Sequence, residues 1–269
     1  MIKFLTSKLL WVGIISFMLA LLATLPISFV LSYLPKNIPI QLSQVSGTIW
    51  QGKAVSVRYQ NIEFGQLNWD IQPLSLFLGQ LSSHINLNGE QIKLDSDVAI
   101  HWDKTLHLTQ TQAEIEASFL QNFKKIPAKL AGTFNLNLDS VVVKIPSKQV
   151  NNQPPLPLIQ GKIEWHNAQV LSPVDIPLGA FRLVLKTRDQ TQLGQLNSLD
   201  APNTPIALDT KLQLDQKYDY QVKGKIKANK QANALLKMGI NSLGKAKADA
   251  YIPIDEKGNL QKLPFLANF

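Results

Sequence analysis

Four histidines are the side chains of this sequence best suited to acid–base or metal chemistry at neutral pH, since it contains no cysteine. His101 and His107 flank the segment Asp103-Lys104-Thr105. If these three residues form a hairpin loop, Trp102 pairs with Leu106 and the two imidazoles face each other, with Cβ atoms about 5 Å apart. A zinc site takes three or four protein ligands, and no third ligand lies nearby in the sequence. We therefore predict no metal site and no cofactor.

Carboxylates and nucleophiles give no catalytic centre either. Glu114 and Glu116 lie on one face of a predicted strand, whereas a paired-carboxylate mechanism needs groups that converge from separate elements. The sequence has no G-x-S-x-G, H-E-x-x-H, P-loop or Rossmann glycine motif. All four histidines occupy polar positions of their predicted strands, which is typical of a solvated face. We expect a protein that is not an enzyme.

The chain is basic, with a formal net charge of +8. Residues Lys217 to Lys247 carry eight lysines against one acid, Asp219. Lys223, Lys225 and Lys227 alternate along one predicted strand, a pattern typical of an edge strand that lysines protect from unwanted pairing. The alternative is a surface that meets anionic lipid headgroups or an acidic partner.

The N-terminus contains 26 consecutive residues without a charged or histidine side chain, from Leu9 to Leu34. A transmembrane helix needs about 20 such residues, whereas the apolar core of a cleaved signal peptide has about 7–15. Lys3 and Lys8 precede the run and Lys36 follows it. The positive-inside rule then predicts a cytoplasmic tail at 1–8, a single uncleaved transmembrane segment at 9–34 and a periplasmic remainder. This location excludes a nucleic-acid partner.

Apolar residues beyond the N-terminal run recur with period two, which predicts a mainly β protein built on a mostly antiparallel sheet with one apolar face. The alternation puts Trp69, Trp102 and Trp165 on apolar positions, so we expect them to be buried. It slips at Gly65-Gln66, which predicts a β-bulge or a turn. One or two short helices are expected, at residues 117–123 and 230–238.

A proline-rich stretch at residues 146–157 carries four prolines and interrupts the alternation. We interpret it as a loop between two β subdomains, the first at residues 36–145 and the second at residues 158–269.

Two glycine–tryptophan motifs follow the apolar N-terminal run, Gly47-Thr48-Ile49-Trp50-Gln51-Gly52 and Gly65-Gln66-Leu67-x-Trp69-x-x-x-Pro73-Leu74. Placed after a transmembrane segment, they resemble the type II secretion system protein N family (general secretion pathway protein N). The resemblance is clear over residues 1–85. Its signature residues, for which we expect a structural role, are Gly47, Thr48, Trp50, Gly52, Gly65, Leu67, Trp69 and Pro73.

This resemblance implies a non-catalytic, single-pass inner-membrane component that supports the export of folded proteins across the outer membrane. Its partners would be other inner-membrane and periplasmic subunits of the secretion system and the lipid bilayer. The strands beginning Gly-x-apolar-x-apolar also look similar to AsmA-like envelope proteins, whose curved sheets hold lipid in an apolar groove. The alternative is therefore a periplasmic protein that binds lipid or another hydrophobic ligand.

Overall fold

A computed structural model describes residues 2–33, 39–60, 62–123, 128–145, 155–201, 203–247 and 250–262, with side chains between Leu9 and Gln261. The N-terminal run forms two helices, α1 (Ile2–Ala23) and α2 (Ile27–Ser32). Pro26 stands between them, where its missing N–H interrupts helical hydrogen bonding. Among the residues described, no helix is both long enough and apolar enough to cross a membrane.

The remainder is almost entirely extended, with one further helix, α3 (Ala234–Ser242), among the described residues. Three 3-10 helices lie at Pro73–Leu78, Ala117–Asn122 and Leu260–Lys262. The strands are β1 (Ile40–Ser43), β2 (Ser46–Gly47), β3 (Gln51–Tyr59), β4 (Ile62–Gln72), β5 (Gln80–Asn88), β6 (Ile92–His101), β7 (Thr105–Glu116), β8 (Lys129–Lys144), β9 (Leu158–Ser172), β10 (Ile176–Arg188), β11 (Thr191–Ser198), β12 (Ile206–Leu214), β13 (Asp219–Ala228) and β14 (Ile252–Asn259).

These strands form one 14-stranded sheet, in which β1 and then β3 to β14 follow each other in chain order while β2 pairs with β3. Every recorded pairing is antiparallel. Antiparallel neighbours need only short connections, so the chain can add each strand to the previous one. The prediction of a mainly β, antiparallel fold with few helices is confirmed.

The expected loop between two subdomains lies largely outside the described residues. On either side of it, β8 and β9 pair directly, for example Val142 with Leu158. The division into two subdomains stays a prediction.

The sheet register separates an apolar face from a polar one, because paired residues project on the same side. One row of paired positions crosses β4 to β11 through Leu67, Leu87, Leu94, Ala113, Leu136, Ile163, Leu183 and Leu196. The neighbouring row, on the other face, crosses β4 to β9 through Asn68, Asn86, Asp95, Gln112, Asn137 and Lys162.

Bulges interrupt several pairings without moving apolar residues to the polar face. The slip predicted at Gly65-Gln66 is a register shift between β3 and β4. A second shift, between β6 and β7, brings Ser96 and Thr111 together on the apolar side. Both are buried, and their hydroxyl groups are 2.7 Å apart. The hydrogen bond between them offsets the cost of burying two polar groups.

The turn between β6 and β7 differs from the prediction by one residue at each end. Trp102, Asp103 and Lys104 form the loop, and Ile100 pairs with Leu106. Trp102 therefore lies in the turn and is 73% exposed, so the prediction that it is buried was wrong. Trp69 and Trp165 are half-buried on the apolar face.

The lysine-rich strand is β13, and it pairs with β12 on one side and with β14 on the other. The interpretation of this segment as a lysine-protected edge strand was therefore wrong. Its lysines remain on the polar face, where Nζ of Lys225 lies 4.7 Å from the ring centre of Tyr251.

The apolar face is covered at two places by the chain's own helices. The 3-10 helix Ala117–Asn122 brings Phe119 against Phe64 of β4, with ring centres 5.5 Å apart. On the same face, near the last strands of the sheet, α3 packs Ile240 against Ile206 of β12 and Ile252 of β14. Each contact buries apolar surface that a single-layer sheet would otherwise leave in water.

We predict that Ile252→Ala lowers the free energy of unfolding by about 2–5 kcal/mol, because it leaves a cavity beneath α3. Ile252 is 2% exposed. The matched substitution Ile40→Ala, at an exposed position of β1, should change stability by less than about 0.5 kcal/mol. Thermal unfolding in detergent measures the stability of both variants. Equal losses of stability would contradict the conclusion that Ile252 is part of a hydrophobic core beneath α3.

Candidate functional site

Five of the signature residues meet where the N-terminal helices reach the sheet. Gly47 ends the short strand β2 and Thr48 follows it. Trp50 immediately precedes β3, Gly52 is the second residue of β3, and Trp69 lies on β4. We call this region, residues 22–26 together with 46–52 and Trp69, the helix–sheet joint.

The joint is held first by hydrogen bonds to the end of α1. The indole Nε1 of Trp50 donates to the carbonyl oxygen of Leu22 at 2.9 Å. The backbone N–H of Ile49 donates to the carbonyl oxygen of Leu25 at 3.1 Å, and Pro26 forms a β-bridge with Thr48. Carbonyl groups in the last turn of a helix have no partner within the helix. The motif supplies such a partner to Leu22 and holds Leu25, two residues beyond α1, against the sheet.

A tight turn presents Ile49 and Trp50 to the helix. The hydroxyl of Thr48 accepts hydrogen bonds from the backbone N–H groups of Trp50 and Gln51, at 3.2 and 3.1 Å. Gly47 adopts a φ of +102°, and a Cβ there would lie 2.4 Å from the carbonyl oxygen of Gln51. The turn therefore requires glycine at its first residue.

Trp69 closes the joint from the neighbouring strand. Its Nε1 donates to the carbonyl oxygen of Ile49 at 3.2 Å. Its ring lies directly against Gly52, where a Cβ would be 2.4 Å from Cζ2 of the indole. The two tryptophans thus hold the segment Ile49–Trp50 between the helix and β4.

The three other signature residues lie away from the joint. Gly65 has a φ of +87° at the β3–β4 bulge, and a Cβ there would lie 2.4 Å from the carbonyl oxygen of Asn88. Leu67 belongs to the apolar row, and Pro73 is the first residue of the 3-10 helix Pro73–Leu78. The structural role expected for the eight residues stays a prediction.

The histidines lie among carboxylates or beside each other. His84 bridges two aspartates of β6, with Nδ1 2.8 Å from Asp97 and Nε2 3.3 Å from Asp95. The hydrogen bond with Asp97, opposed by partial burial and supported by the charge of Asp95, raises the pKa of His84 above its ordinary value. His101 and His107 have ring centres 4.5 Å apart. They are diagonal neighbours on the sheet, since Ala99 is the residue that pairs with His107.

A second charged cluster lies on β9 and β10. Nε of Arg182 is 2.7 Å from Glu164, and Nε2 of His166 is 3.0 Å from the same carboxylate. The hydrogen bond from Arg182, and then that from His166, lower the pKa of Glu164. Among the side chains described, no group of three or more His, Asp or Glu is arranged to hold a metal ion.

The polar face also contains shallow depressions between its strands. The largest of those recorded has a volume of about 560 Å³ and is lined mainly by amide and charged side chains of β5 to β9, among them Asn86, Asp95, Gln112, Asn137 and Lys162. Another, of about 380 Å³, is lined by Lys211, Lys223, Lys225, Lys247 and Tyr251. Asp209 also lines it, and the four lysines leave a net positive surface, which an acidic partner would complement.

The sequence indicated the signature residues but not the joint they build. The sequence offered one positional signal. The motif Gly-Thr-x-Trp begins 24 residues after the end of α1. Its partners, the carbonyl groups of Leu22 and Leu25, are backbone atoms, so no residue type in the sequence indicates them.

We predict that Gly52→Ala destabilises the joint by about 1–3 kcal/mol, because the added Cβ must displace the Trp69 ring or the Ser46 carbonyl, 2.7 Å away. Gly239→Ala on α3 is the control, since a Cβ there meets nothing within 4 Å and alanine favours a helix by up to about 1 kcal/mol. Limited proteolysis between residues 26 and 46 and the thermal midpoint measure the effect. A Gly52→Ala protein as stable as the wild type would contradict the described packing.

We predict that His84 makes the protein more stable at about pH 5.5 than at pH 8. Because its pKa is raised in the folded state, its contribution is fully present below the unfolded pKa of about 6.5 and is lost as the pH rises through the folded value. Glu164, whose pKa is lowered, loses its contribution only at more acidic pH. Because the side chains of His84 and Asp97 are half exposed, solvent screening limits the difference in the free energy of unfolding to less than about 1 kcal/mol. His84→Gln should abolish this difference in denaturant unfolding, whereas His107→Gln should retain it.

Comparison with known proteins places this chain in a defined family. Residues 39–255 match the model of the family described as type II secretion system (T2SS), protein N. The type II secretion system protein N of Aeromonas hydrophila is 23% identical over 268 residues, which covers 96% of this chain and 99% of that protein. The protein of the same name from Vibrio cholerae serotype O1 is 41% identical over 68 residues, a match that spans 25% of this chain and 27% of that protein. No solved structure matches. The chain therefore belongs to the type II secretion system protein N family.

Proposed function

We propose that this protein is a non-catalytic component of a type II secretion system that couples a membrane-embedded helix to a periplasmic docking sheet. The observation that carries the proposal is the helix–sheet joint, where Trp50 donates to the carbonyl oxygen of Leu22 in the last turn of α1 and Ile49 donates to that of Leu25, two residues beyond the helix. A flexible linker would let the sheet move independently of the helix, whereas this joint sets its orientation. Family membership over residues 39–255 supports the assignment to the secretion system.

Inner-membrane anchoring is supported by the apolar surface of α1. The helix has 22 residues, and its uncharged part, from Leu9 to Ala23, extends about 22 Å at about 1.5 Å per residue. A bilayer with a hydrocarbon thickness of about 30 Å accommodates a shorter apolar segment by thinning locally. The large side chains of α1, including Leu10, Trp11 and Phe17, are exposed on all sides. With Lys3 and Lys8 at its start, the proposed orientation is N-terminus cytoplasmic and sheet periplasmic.

The proposed partners are other inner-membrane and periplasmic subunits, which the sheet would contact through its polar face. The lysine surface around Tyr251 offers an excess of positive charge, with Lys225 and Lys227 both close to the tyrosine ring and Asp209 among the lysines. Interfaces of this kind set specificity and association rate through charge complementarity.

Lipid binding in the apolar face is the second candidate, favoured by the uninterrupted apolar row across β4 to β11. Packing at mid-strand argues against it. Leu138 and Val141 of β8 are 6% and 7% exposed, and Thr111 of β7 is buried beside them. These side chains offer a ligand little accessible apolar surface at this part of the face. Mass spectrometry of the intact protein, purified without added lipid, would reveal a bound lipid if this candidate is correct.

We predict that deletion of the gene leaves type II substrates in the periplasm, and that the wild-type chain restores their release. Trp50→Ala, which removes the bond to Leu22, should restore it poorly at equal protein level. The control is Trp165→Phe, because its indole N–H bonds to Ala131 within the sheet and not to α1. Alkaline phosphatase fused after residue 269 should be active. Full secretion by the deletion strain, or an inactive fusion, would contradict the proposal.

A further inference from the structure

Several of the most exposed large apolar side chains lie together at one end of the sheet. Leu74, Phe77 and Leu78 belong to the 3-10 helix Pro73–Leu78, and Phe77 is 88% exposed. Trp102 lies in the β6–β7 turn, and Ile145 follows β8. We call these five residues the apolar tip patch. Exposed aromatic and aliphatic groups gathered in this way mark an interaction surface.

Backbone contacts hold the patch together as one surface. The N–H of Trp102 donates to the carbonyl oxygen of Gly79, at the end of the 3-10 helix, at 3.2 Å. The N–H of Ile145 donates to the carbonyl oxygen of Lys104, in the β6–β7 turn, at 2.9 Å. Three successive connections are thereby fixed to one another. Their apolar side chains are consequently presented in a defined arrangement.

The patch lies at the same end of the sheet as the helix–sheet joint. Gln51, the first residue of β3, pairs with Asp70 near the end of β4, and β4 leads directly into the 3-10 helix. The connection after β8 is five strand spacings from β3, or about 24 Å along the sheet. The end of α1 and the patch therefore face the same side of the molecule.

Other turns at this end of the sheet, farther from α1, are polar. The β10–β11 turn exposes Asp189 and Gln190, and the β12–β13 turn contains Asp215 and Lys217. Among the described connections at this end of the sheet, those that expose large apolar side chains lie in the half nearest α1. This distribution indicates a contact that depends on proximity to α1.

Charge around the patch favours a lipid surface. Lys104 and Lys144 are exposed beside Trp102 and Ile145. The one nearby carboxylate in the turn, Asp103, accepts a hydrogen bond from the N–H of Thr105 at 3.0 Å. Aromatic and aliphatic tips flanked by lysine are the composition that binds the interface of a bilayer with anionic lipid.

We infer that the apolar tip patch inserts into the interface of the bilayer in which α1 is embedded, so that the sheet is attached to the membrane at two points. The inference rests on the proposed membrane anchoring of α1. Phe77 and Trp102 enter the acyl-chain boundary, and Lys104 and Lys144 contact anionic headgroups.

The experiment uses the full-length chain in vesicles of phosphatidylethanolamine with a minority of phosphatidylglycerol. Because the chain has no cysteine, Phe77→Cys and Gln190→Cys each carry a single environment-sensitive NBD label. Flotation first reports whether the protein is anchored. A quencher on the lipid acyl chain should then reduce the emission at position 77 by more than half and leave position 190, at a polar turn of the same end, nearly unchanged.

A second measurement does not depend on labelling. Brominated acyl chains quench tryptophan, so Trp102→Phe should lower the quenched fraction relative to the wild type, whereas Trp165→Phe should not. Flotation without quenching at position 77 overturns the inference alone and indicates a protein as the occupant of the patch. Failure to float overturns the proposed anchoring of α1 and the inference with it.

Discussion

The strand register is the constraint on which this structure depends. In a sheet made of one layer, each strand contributes its apolar residues to the same face only if its pairing with both neighbours keeps the period-two phase. A slip of one residue in β6 would move Leu94 to the polar side and bring Asp95 among leucines. Bulges absorb irregular strand lengths without this exchange, as at Gly65 and at the Ser96–Thr111 pair.

No second layer of strands packs on this sheet among the described residues. Its orientation relative to α1 therefore depends on contacts other than strand pairing. The helix–sheet joint supplies such contacts. It uses as acceptors the carbonyl oxygen of Leu22, which has no partner within α1, and that of Leu25 just beyond the helix. The indole N–H of Trp50 and the turn at Gly47–Thr48 bring the end of α1 to β3, and the indole N–H of Trp69 holds the carbonyl oxygen of Ile49 from β4. Stability of the helix end and orientation of the sheet therefore depend on the same few contacts.

The alternation in the sequence was sufficient to predict the faces of the sheet, the antiparallel architecture and the slip at Gly65. It could not predict the β6–β7 turn. A loop at residues 102–104 and a loop at 103–105 differ by a two-residue shift of pairing, so both place Ile100 opposite a leucine. Local geometry decides between them, with Lys104 at a φ of +65° and Asp103 accepting from Thr105. The alternating lysines of β13 did not show whether this strand lies at the edge of the sheet or inside it. Alternation identifies the face on which side chains lie and not the number of neighbouring strands.

The lysine surface around Tyr251 and the end of the sheet beside α1 are two separate surfaces, which the sequence alone does not distinguish. The net positive charge and the apolar N-terminus both suggest a membrane, yet the lysines of β13 are ten strand spacings from β3, about 48 Å along the sheet. Electrostatic attraction between exposed groups decays over about 8 Å at physiological ionic strength. The lysine surface around Tyr251 therefore does not act through the same contact as the end of the sheet beside α1. A protein attached near β3 to β8 presents β12 to β14 as a separate basic surface, available to an acidic subunit.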